Sequence, residues 1–355
     1  MTPSTMTPPN MTAWLTTGDG IDRLVATAAP VPVPGPSEVL VRVTAWSLNY
    51  RDLLVVNGVE GWRPPRPVVP VSDAVGIVAA VGKDVDRYRL GDRVSAAFLP
   101  RWRSGPLTPD VYSRPTGGPL NRGMLADWVT VEQDEAVLAP HTLTDVEAAT
   151  LPVAAVTAWH AVVARLRVAA GESVLIHGTG GVALFALQLC LALGARPIIT
   201  SSSDDKLERL SALGAADGVN YRTTPDVAGA VLDLTHGTGA DHVVETVGGE
   251  NLNTSLAAVR IGGTIAFVGL LAGLAARVNT YDFVTKNVTL HGIETGSQDM
   301  YQQMAAFIDA HRLKPVLDST YPVSSAREAL HHLAAGGHLG KIVLAPDDDA
   351  DQQTA

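Results

Sequence analysis

The sequence predicts an α/β protein in which a doubly wound parallel sheet is joined to a β-rich second domain. Three observations carry that expectation. From about residue 174 onward, short apolar runs alternate with helical segments, the pattern of parallel βαβ units. The first of these runs, Val174-Leu-Ile176, opens onto the glycine turn Gly178-Thr-Gly-Gly-Val-Ala183, which leads into the apolar stretch 184–193. Before about Pro140 the text is instead irregular and rich in short strands, glycine bends and prolines.

In chain order, Glu38–Ala45 alternates apolar and polar residues as a half-buried strand does. Asp73–Gly82 and Gly91–Ala96 read as further short strands with glycine bends, whereas Pro30–Pro36 and Pro64–Pro70 hold too much proline for central strands. Leu99–Asn121 is a long loop of Gly, Pro and Arg, of the sort that serves function or moves. Asp145–Arg167 is helical, broken at Pro152. Then come strand 174–176 and helix 182–193, and strand 197–200 and helix 204–213, whose Asp204 and Asp205 suit a helix start. Strand 243–247 and helix 251–259 follow, then strands 264–268 and 288–291. From about Leu313 the pattern is mixed, and the strand Lys341–Leu344 is expected to return to the first domain. Residues 1–10 and 347–355 are expected to be disordered tails.

A length of 355 residues suits two domains, and 46% hydrophobic against 17% charged residues provides a large core. No apolar run reaches the ~20 residues of a membrane helix. The first ten residues lack the basic and apolar regions of a signal peptide. A net charge of −10 argues against non-specific nucleic-acid binding, and the single cysteine, Cys190, excludes an intrachain disulfide. A cytoplasmic location is expected.

The glycine turn has the form G-x-G-x-x-A between a strand and a helix. Gly178, Thr179, Gly180, Gly181 and Val182 therefore form a candidate dinucleotide site: bare glycines let the backbone approach a pyrophosphate, and the helix N-terminus offers free N–H groups and a partial positive charge. The competing reading is a turn used only for tight strand–helix packing. Cofactor choice is read about 20 residues further on, where an NAD site carries Asp or Glu for the ribose hydroxyls. This chain has Ser201-Ser-Ser203 there and Lys206 one turn into the next helix. Hydroxyls can donate to a 2′-phosphate that a carboxylate would repel, so Ser201, Ser202 and Lys206 point to NADP(H). The alternative is that the serines cap the helix, Lys206 is solvated, and Asp204 or Asp205 binds an NAD ribose. Thr246, Val247 and Gly248, at the end of the 243–247 strand, are expected to flank the adenosine side.

Several segments now combine: Ser47-Leu-Asn-Tyr-Arg-Asp52, Val75-Gly-Ile-Val-Ala-Ala-Val-Gly82 with Gly91-Asp-Arg-Val94, Gly178-Thr-Gly-Gly-Val182, Asn220-Tyr-Arg222 and Gly337-His-Leu-Gly-Lys-Ile-Val343. From about Trp14 to Pro346 the chain resembles a medium-chain dehydrogenase/reductase of the zinc-independent, quinone-oxidoreductase-like branch. The resemblance implies a GroES-like catalytic domain over 11–155, a Rossmann NADP-binding domain over 156–312, and a catalytic-domain return over 313–346. It places Ser201 where NAD-dependent relatives have Asp, and Tyr221 at a phosphate-contacting position. It places Thr157, Gly269, Leu270 and Leu271 beside the nicotinamide, and His338 and Lys341 where the cofactor cleft closes. It also implies a homodimer, with 288–291 as the outer strand of the Rossmann sheet, whose open edge invites pairing.

The resemblance further implies that zinc-dependent relatives place their metal ligands where this chain has Asn49, Ser72 and Val153, and that the cysteines of a structural zinc lobe are missing from Leu99–Asn121. No metal is expected. Reducing an isolated ketone creates an alkoxide, which needs a Lewis acid or a proton donor; reducing a conjugated alkene or quinone creates a weaker base that modest donors can stabilise. The expected activity is hydride transfer from NADPH to an enone or quinone, with Asn49 as donor, Tyr50 as donor or wall and Ser72 as a substrate contact. Asp52 is read mainly as a loop anchor. Trp62, Trp102 and Tyr112 are candidates for lining the substrate site or for ordinary packing. The chain departs from acyl-thioester reductases, whose Gly-x-Tyr turn is replaced by Gly58-Val-Glu-Gly-Trp62. A metal-free alcohol or ketone dehydrogenase and a non-catalytic nucleotide-binding relative are the alternatives.

Overall fold

The computed structural model describes residues 8–112, 114–215 and 217–347. The strands in chain order are β1 (Asn10–Leu15), β2 (Val25–Pro30), β3 (Glu38–Ser47), β4 (Asp73–Val81), β5 (Arg93–Ala96), β6 (Trp128–Glu132) and β7 (Ala136–Leu138). They continue as β8 (Ser173–Ile176), β9 (Arg196–Ser201), β10 (Asp217–Asn220), β11 (Ala240–Glu245), β12 (Val259–Phe267), β13 (Thr289–Gly292), β14 (Leu317–Pro322) and β15 (Lys341–Ala345). The described residues divide into two compact units, one within 8–153 and 296–347, the other within 154–295.

In the first unit a sheet runs β14-β15-β3-β4-β5-β7, with β6 also paired to β3, and β1 pairs with β2. The inward residues Val39, Val41, Val43 and Val78 meet Leu330 and Leu333 of the helix Ala326–Ala335 in one core. Sequence alternation in β3 is what permits this, because one face is apolar while Arg42 stays exposed. As expected, the final strand returns: β15 lies antiparallel to β3, with Val343 opposite Ser47 and Leu344 opposite Trp46. That register sets the first residue of β15, Lys341, beside the end of β3.

The second unit is a six-stranded sheet, β10-β9-β8-β11-β12-β13, parallel throughout. In order of appearance this is 3-2-1-4-5-6, the doubly wound arrangement in which ligands bind beyond the carboxyl ends of the strands where the order reverses. The reversal falls between β8 and β11. All four residues of β8 are buried, as a central parallel strand covered on both faces requires. Leu175, Ile198, Val243 and Ile265 pack with Val231, Leu252 and Leu256 of the covering helices.

Several expectations need correction. The return to the first unit begins at Gly296, not at 313. The helix Gln298–His311 belongs there because Gln298 Nε2 donates to the carbonyls of Pro100 and Asp134, and Asp309 accepts from the backbone of His141 and Thr142. Pro152 does not break the helix at Asp145–Arg167 cleanly: after Asp145–Ala148, widened turns of π type span Leu151–Ala155 and His160–Arg165, which accommodates a residue that has no N–H to donate. The Leu99–Asn121 loop contains a helical turn, Pro109–Tyr112. Asn10 starts β1, and Asp347 accepts from Ser324 N at 3.0 Å, so neither is part of a loose tail; residues 1–7 and 348–355 lie outside the described residues. Among the described residues no helix is long and apolar enough to cross a membrane.

Candidate active site

The first unit gathers a buried polar cluster where β3, β4 and β15 meet. Asn49 ends the chain segment leaving β3 and caps the helix Tyr50–Val56. Its backbone N–H donates to Asp52 Oδ2 at 2.8 Å, and the Asp52 N–H returns to the Asn49 carbonyl at 2.9 Å, a reciprocal cap that fixes this turn. Asp52 also accepts from Ser72 N at 3.3 Å and pairs with Arg51 at 3.0 Å. It anchors the loop. Ser72 follows Val71, a β-branched residue held at φ 70, a backbone state that costs about 1–3 kcal/mol and persists only where surrounding contacts impose it.

Lys341 decides how Asn49 presents itself. The lysine is 3% exposed, and its Nζ lies 2.5 Å from both the Leu48 carbonyl and Asn49 Oδ1. An ammonium only donates, so the Asn49 oxygen is committed to it and the amide nitrogen is the end turned toward acceptors, the Asp73 carboxylate among them. That nitrogen faces Ser72 Oγ at 3.4 Å. Burial pushes the Lys341 ammonium below its usual range, and the Asp73 and Asp52 carboxylates oppose that shift. Asp73 is fully buried; Val153 N donates to its Oδ2 at 3.3 Å, while Oδ1 has no hydrogen-bond partner among the described residues. Burial raises its pKa to about 6, against the opposing pull of Lys341. The charged end of Lys341, expected where a cofactor cleft closes, is enclosed within the Asn49 cluster.

The remaining candidates of this unit separate. Tyr50 is 43% exposed at the first turn of its helix. Trp62 packs against the Arg51 guanidinium at 5.4 Å. Trp102 is not a surface lining residue; it is buried with Phe98 and Leu99, and its Nε1 donates to the Gly105 carbonyl. Tyr112 is exposed. His338 sits half-buried with its ring edge toward His332.

The second unit assembles the glycine turn beyond β8. Gly178 has φ 82, and a Cβ there would meet only Thr246 Oγ1 at 3.4 Å; at Gly180, the residue before the helix Gly181–Ala192, it would meet nothing within 4 Å. Among the described residues nothing covers Gly180, and no side chain caps the helix. Bare backbone over an uncapped helix N-terminus fits a pyrophosphate. Thr179 is buried in the turn, and Val182 lies in the helix's first turn. Gly269 has a different cause: a Cβ would come within 2.0 Å of the Thr246 carbonyl group, so the close approach of the chains leaving β11 and β12 requires glycine. Leu270 and Leu271 follow it, exposed, whereas Thr157 is buried in the helical turn Val156–Trp159.

Ser201 and Tyr221 come together at the ends of β9 and β10, and Lys206, half-buried, lies in the first turn of the helix that follows β9. Asn220 lies opposite Ser201, and Tyr221 N donates to the Ser201 carbonyl at 3.0 Å. Ser201 Oγ accepts from Ser203 N at 3.2 Å, a bond that leaves its own proton uncommitted. Ser203 is the helix cap, accepting from Lys206 N. Ser202 is half-buried between them. Asp204, the rival ribose ligand, is engaged by Asn220 Nδ2 at 2.7 Å.

Comparison with known proteins agrees with this architecture. The alcohol dehydrogenase GroES-like domain family matches residues 35–141, and the zinc-binding dehydrogenase family matches residues 181–310. A zinc-type alcohol dehydrogenase-like protein of Schizosaccharomyces pombe, C1773.06c, is 38% identical over 92% of this chain and 96% of its own length. The chain belongs to the medium-chain dehydrogenase/reductase superfamily. Within the superfamily it is also similar to the quinone oxidoreductase of Mus musculus, 29% identical over 88% of this chain and 91% of that protein. A crystal structure described as a candidate alcohol dehydrogenase of Sinorhizobium meliloti 1021 superposes with a TM-score of 0.90 at 40% identity, covering 96% of this chain and all of that one.

Superfamily membership implies a nicotinamide dinucleotide, and the open glycine turn fits one. One of the matching families is also named for zinc, and the residues here do not fit that ion. The Asn49 oxygen is held by an ammonium, Ser72 offers a neutral hydroxyl, and Val153 has no side-chain donor atom. A divalent cation beside Lys341 would meet a fixed like charge. Among the described residues, no group of three His, Cys, Asp or Glu side chains is placed to hold a metal.

Sequence reading missed Asp73 and the role of Lys341. It also passed over His177, Thr200, Glu245 and Ser255, which join beneath the glycine turn. The available signal was Glu245, an acid inside the apolar strand Val243-Val-Glu, which must find partners to stay buried.

Proposed function

We propose that this chain is a zinc-independent, NADPH-dependent reductase of electron-poor C=C bonds or quinones. The observation that carries the proposal is the Lys341–Asn49 contact, which leaves an amide N–H₂ as the presented donor at the position where zinc-dependent relatives hold a metal. When bound, the reduced nicotinamide supplies hydride. The chain's part is to hold the substrate and stabilise the charge that develops on its oxygen. Asn49 Nδ2 is the donor to that oxygen, and its bond to the Lys341 ammonium polarises the amide and strengthens the N–H. An enolate or phenolate is a weak enough base for such a donor. Ser72 supports the amide, and Tyr50 stands at the adjoining exposed turn as a wall or second donor. Gly178 to Val182 would take the pyrophosphate, Ser201, Ser202, Lys206 and Tyr221 the 2′-phosphate, and Thr157, Gly269, Leu270 and Leu271 the nicotinamide end. The similarity to a quinone oxidoreductase supports this substrate class.

The test is a steady-state panel of enones, quinones, ketones and aldehydes with NADPH, joined to product and metal analysis. Saturated ketone or hydroquinone is expected, with activity intact after chelation. Allylic alcohol as the main product would establish a carbonyl reductase instead. Stoichiometric zinc whose removal abolishes turnover, or no NADPH consumption with any acceptor, would also overturn the proposal. Asn49→Asp keeps an oxygen for Lys341 but removes the donor, and it should lower kcat by about 10²–10³-fold.

A further inference from the structure

His177 lies between β8 and the glycine turn, 2% exposed, and takes no part in the chemistry proposed above. Its hydrogen-bond partners form a chain whose proton directions can be worked out from one end. Glu245 is fully buried and, as a carboxylate, only accepts. Its Oε1 takes the N–H groups of Val247 (2.8 Å) and Gly248 (3.0 Å); its Oε2 takes Asn251 Nδ2 (2.7 Å) and the Ser255 hydroxyl (2.5 Å). Ser255 has one proton and has spent it on Glu245. At its contact with His177 Nε2, 3.1 Å away, Ser255 therefore accepts and the imidazole donates. The other ring nitrogen, Nδ1, is then an acceptor and takes the Thr200 hydroxyl at 3.4 Å. Thr200 Oγ1 in turn accepts from Gly178 N at 3.2 Å. Burial holds His177 below its ordinary pKa, in agreement with a neutral ring. The His177 carbonyl accepts from Thr246 Oγ1.

One directional chain thus runs from the N–H of Gly178 through Thr200, His177 and Ser255 to Glu245, where it ends on a carboxylate that also accepts from the N–H groups of Val247 and Gly248. It joins the glycine turn, the β9 end that carries Ser201, and the segment after β11. The first and third of these segments flank the strand-order reversal of the sheet, and the β9 end lies next to β8. We infer that His177 is a positioning residue for the dinucleotide site, holding these three segments in one mutual arrangement. The inference rests on the dinucleotide reading of this unit. A site of this kind needs its groups held to within about 0.5 Å, and loops without a supporting shell do not achieve that. A second consequence follows: the N–H groups of Val247 and Gly248 are consumed by Glu245, so this segment meets a nucleotide through other atoms.

The test is the NADPH dissociation constant of folded protein, by fluorescence titration well below the unfolding temperature, for His177→Phe, His177→Asn, His177→Gln and Ser255→Ala. A merely structural histidine would change the unfolding temperature and leave binding by the folded protein unaltered. A positioning histidine should weaken NADPH binding by roughly tenfold or more in His177→Phe, since small misplacements of binding groups are costly. Asn can restore the acceptor toward Thr200 and Gln the donor toward Ser255, so each should recover part of the loss. Ser255→Ala leaves the imidazole in place and should weaken binding in the same direction, which keeps the inference testable if the Phe variant does not fold. Nitrogen NMR of the wild type should show a neutral ring with its proton on Nε2. Unchanged NADPH binding in the soluble variants, or a proton on Nδ1, overturns the inference while tight wild-type binding preserves the dinucleotide reading. A wild type that binds neither NADPH nor NADH overturns both.

Discussion

Asp73 shows how one buried carboxylate serves the site at a cost to the fold. It lies near the Lys341 ammonium and is among the groups that hold that charge in the protein interior, but the help its own carboxylate receives, from Lys341, the Asn49 amide and Val153 N, does not offset its burial. Its pKa rises from 3.8 to about 6 because burial disfavours the ionised form. For an acid with a raised folded-state pKa, the folded protein binds the proton more tightly than the unfolded chain. The contribution to stability is therefore full below pH 3.8, falls as pH rises, and is lost above about 6. The shift corresponds to about 3 kcal/mol. Asp73→Asn keeps an acceptor for Val153 and removes the titration. Denaturant unfolding at a series of pH values should show wild type losing stability relative to the variant between about pH 4 and 6, with a constant gap above. A flat difference across that window would show that Asp73 is compensated. None of this was legible in the sequence, where Asp73 reads as the first residue of a strand. Asn49 and Lys341, 292 residues apart, meet only because the last strand returns beside β3, and no local pattern announces that pairing.

Elements were more legible than contacts. The strand–glycine–helix unit at 173–192 and the register of β3 follow from apolar periodicity, which is a local property. β10 was not anticipated, since Asp217-Gly-Val-Asn220 has no apolar run, yet it brings Tyr221 beside Ser201. That placement gives the cofactor reading a test at the scale of the β9–helix–β10 unit. Ser203, and not Ser201, is the residue that caps the helix, so the two roles in the Ser201-Ser-Ser203 run fall on different serines. A charge-assisted bond is worth about 1.5–3 kcal/mol, or roughly 10- to 150-fold in affinity. Lys206→Ala should weaken NADPH by about that factor and leave NADH nearly unchanged, and Ser201→Asp should shift the preference further by adding repulsion. The measurement is the ratio of kcat/KM for the two cofactors. A wild type that already prefers NADH, or a ratio untouched by Lys206→Ala, would remove Lys206 from the phosphate site.

At the scale of the whole molecule, the two-unit organisation was readable from the change of pattern near residue 150, but the second boundary was placed too late. Gln298 and Asp309 are polar residues on an ordinary amphipathic helix, and their bonds to Pro100, Asp134, His141 and Thr142 are long-range, so the text after Thr295 still resembled the alternating half. The expected edge of the parallel sheet agrees within a residue: among the described residues β13 pairs with β12 alone. An open strand edge carries unpaired N–H and C=O groups, and native proteins cover such edges or charge them. Thr289-Leu-His-Gly292 has no Lys, Asp or Glu to blunt it. Leu290 is 38% exposed, and in the same unit Ile261 and Val284 are 72% exposed and Tyr281 74%. A second copy pairing β13 with β13 about a two-fold axis would satisfy the edge and cover apolar surface at once, and a two-fold contact of this kind closes on itself without propagating into fibres. We therefore expect a homodimer in solution. Light scattering at micromolar concentration should give twice the chain mass of 37.2 kDa, and Leu290→Lys should shift the population toward monomer without loss of secondary structure. A monomer mass for the wild type, or a dimer indifferent to charge at Leu290, would show that this edge is not where the copies meet.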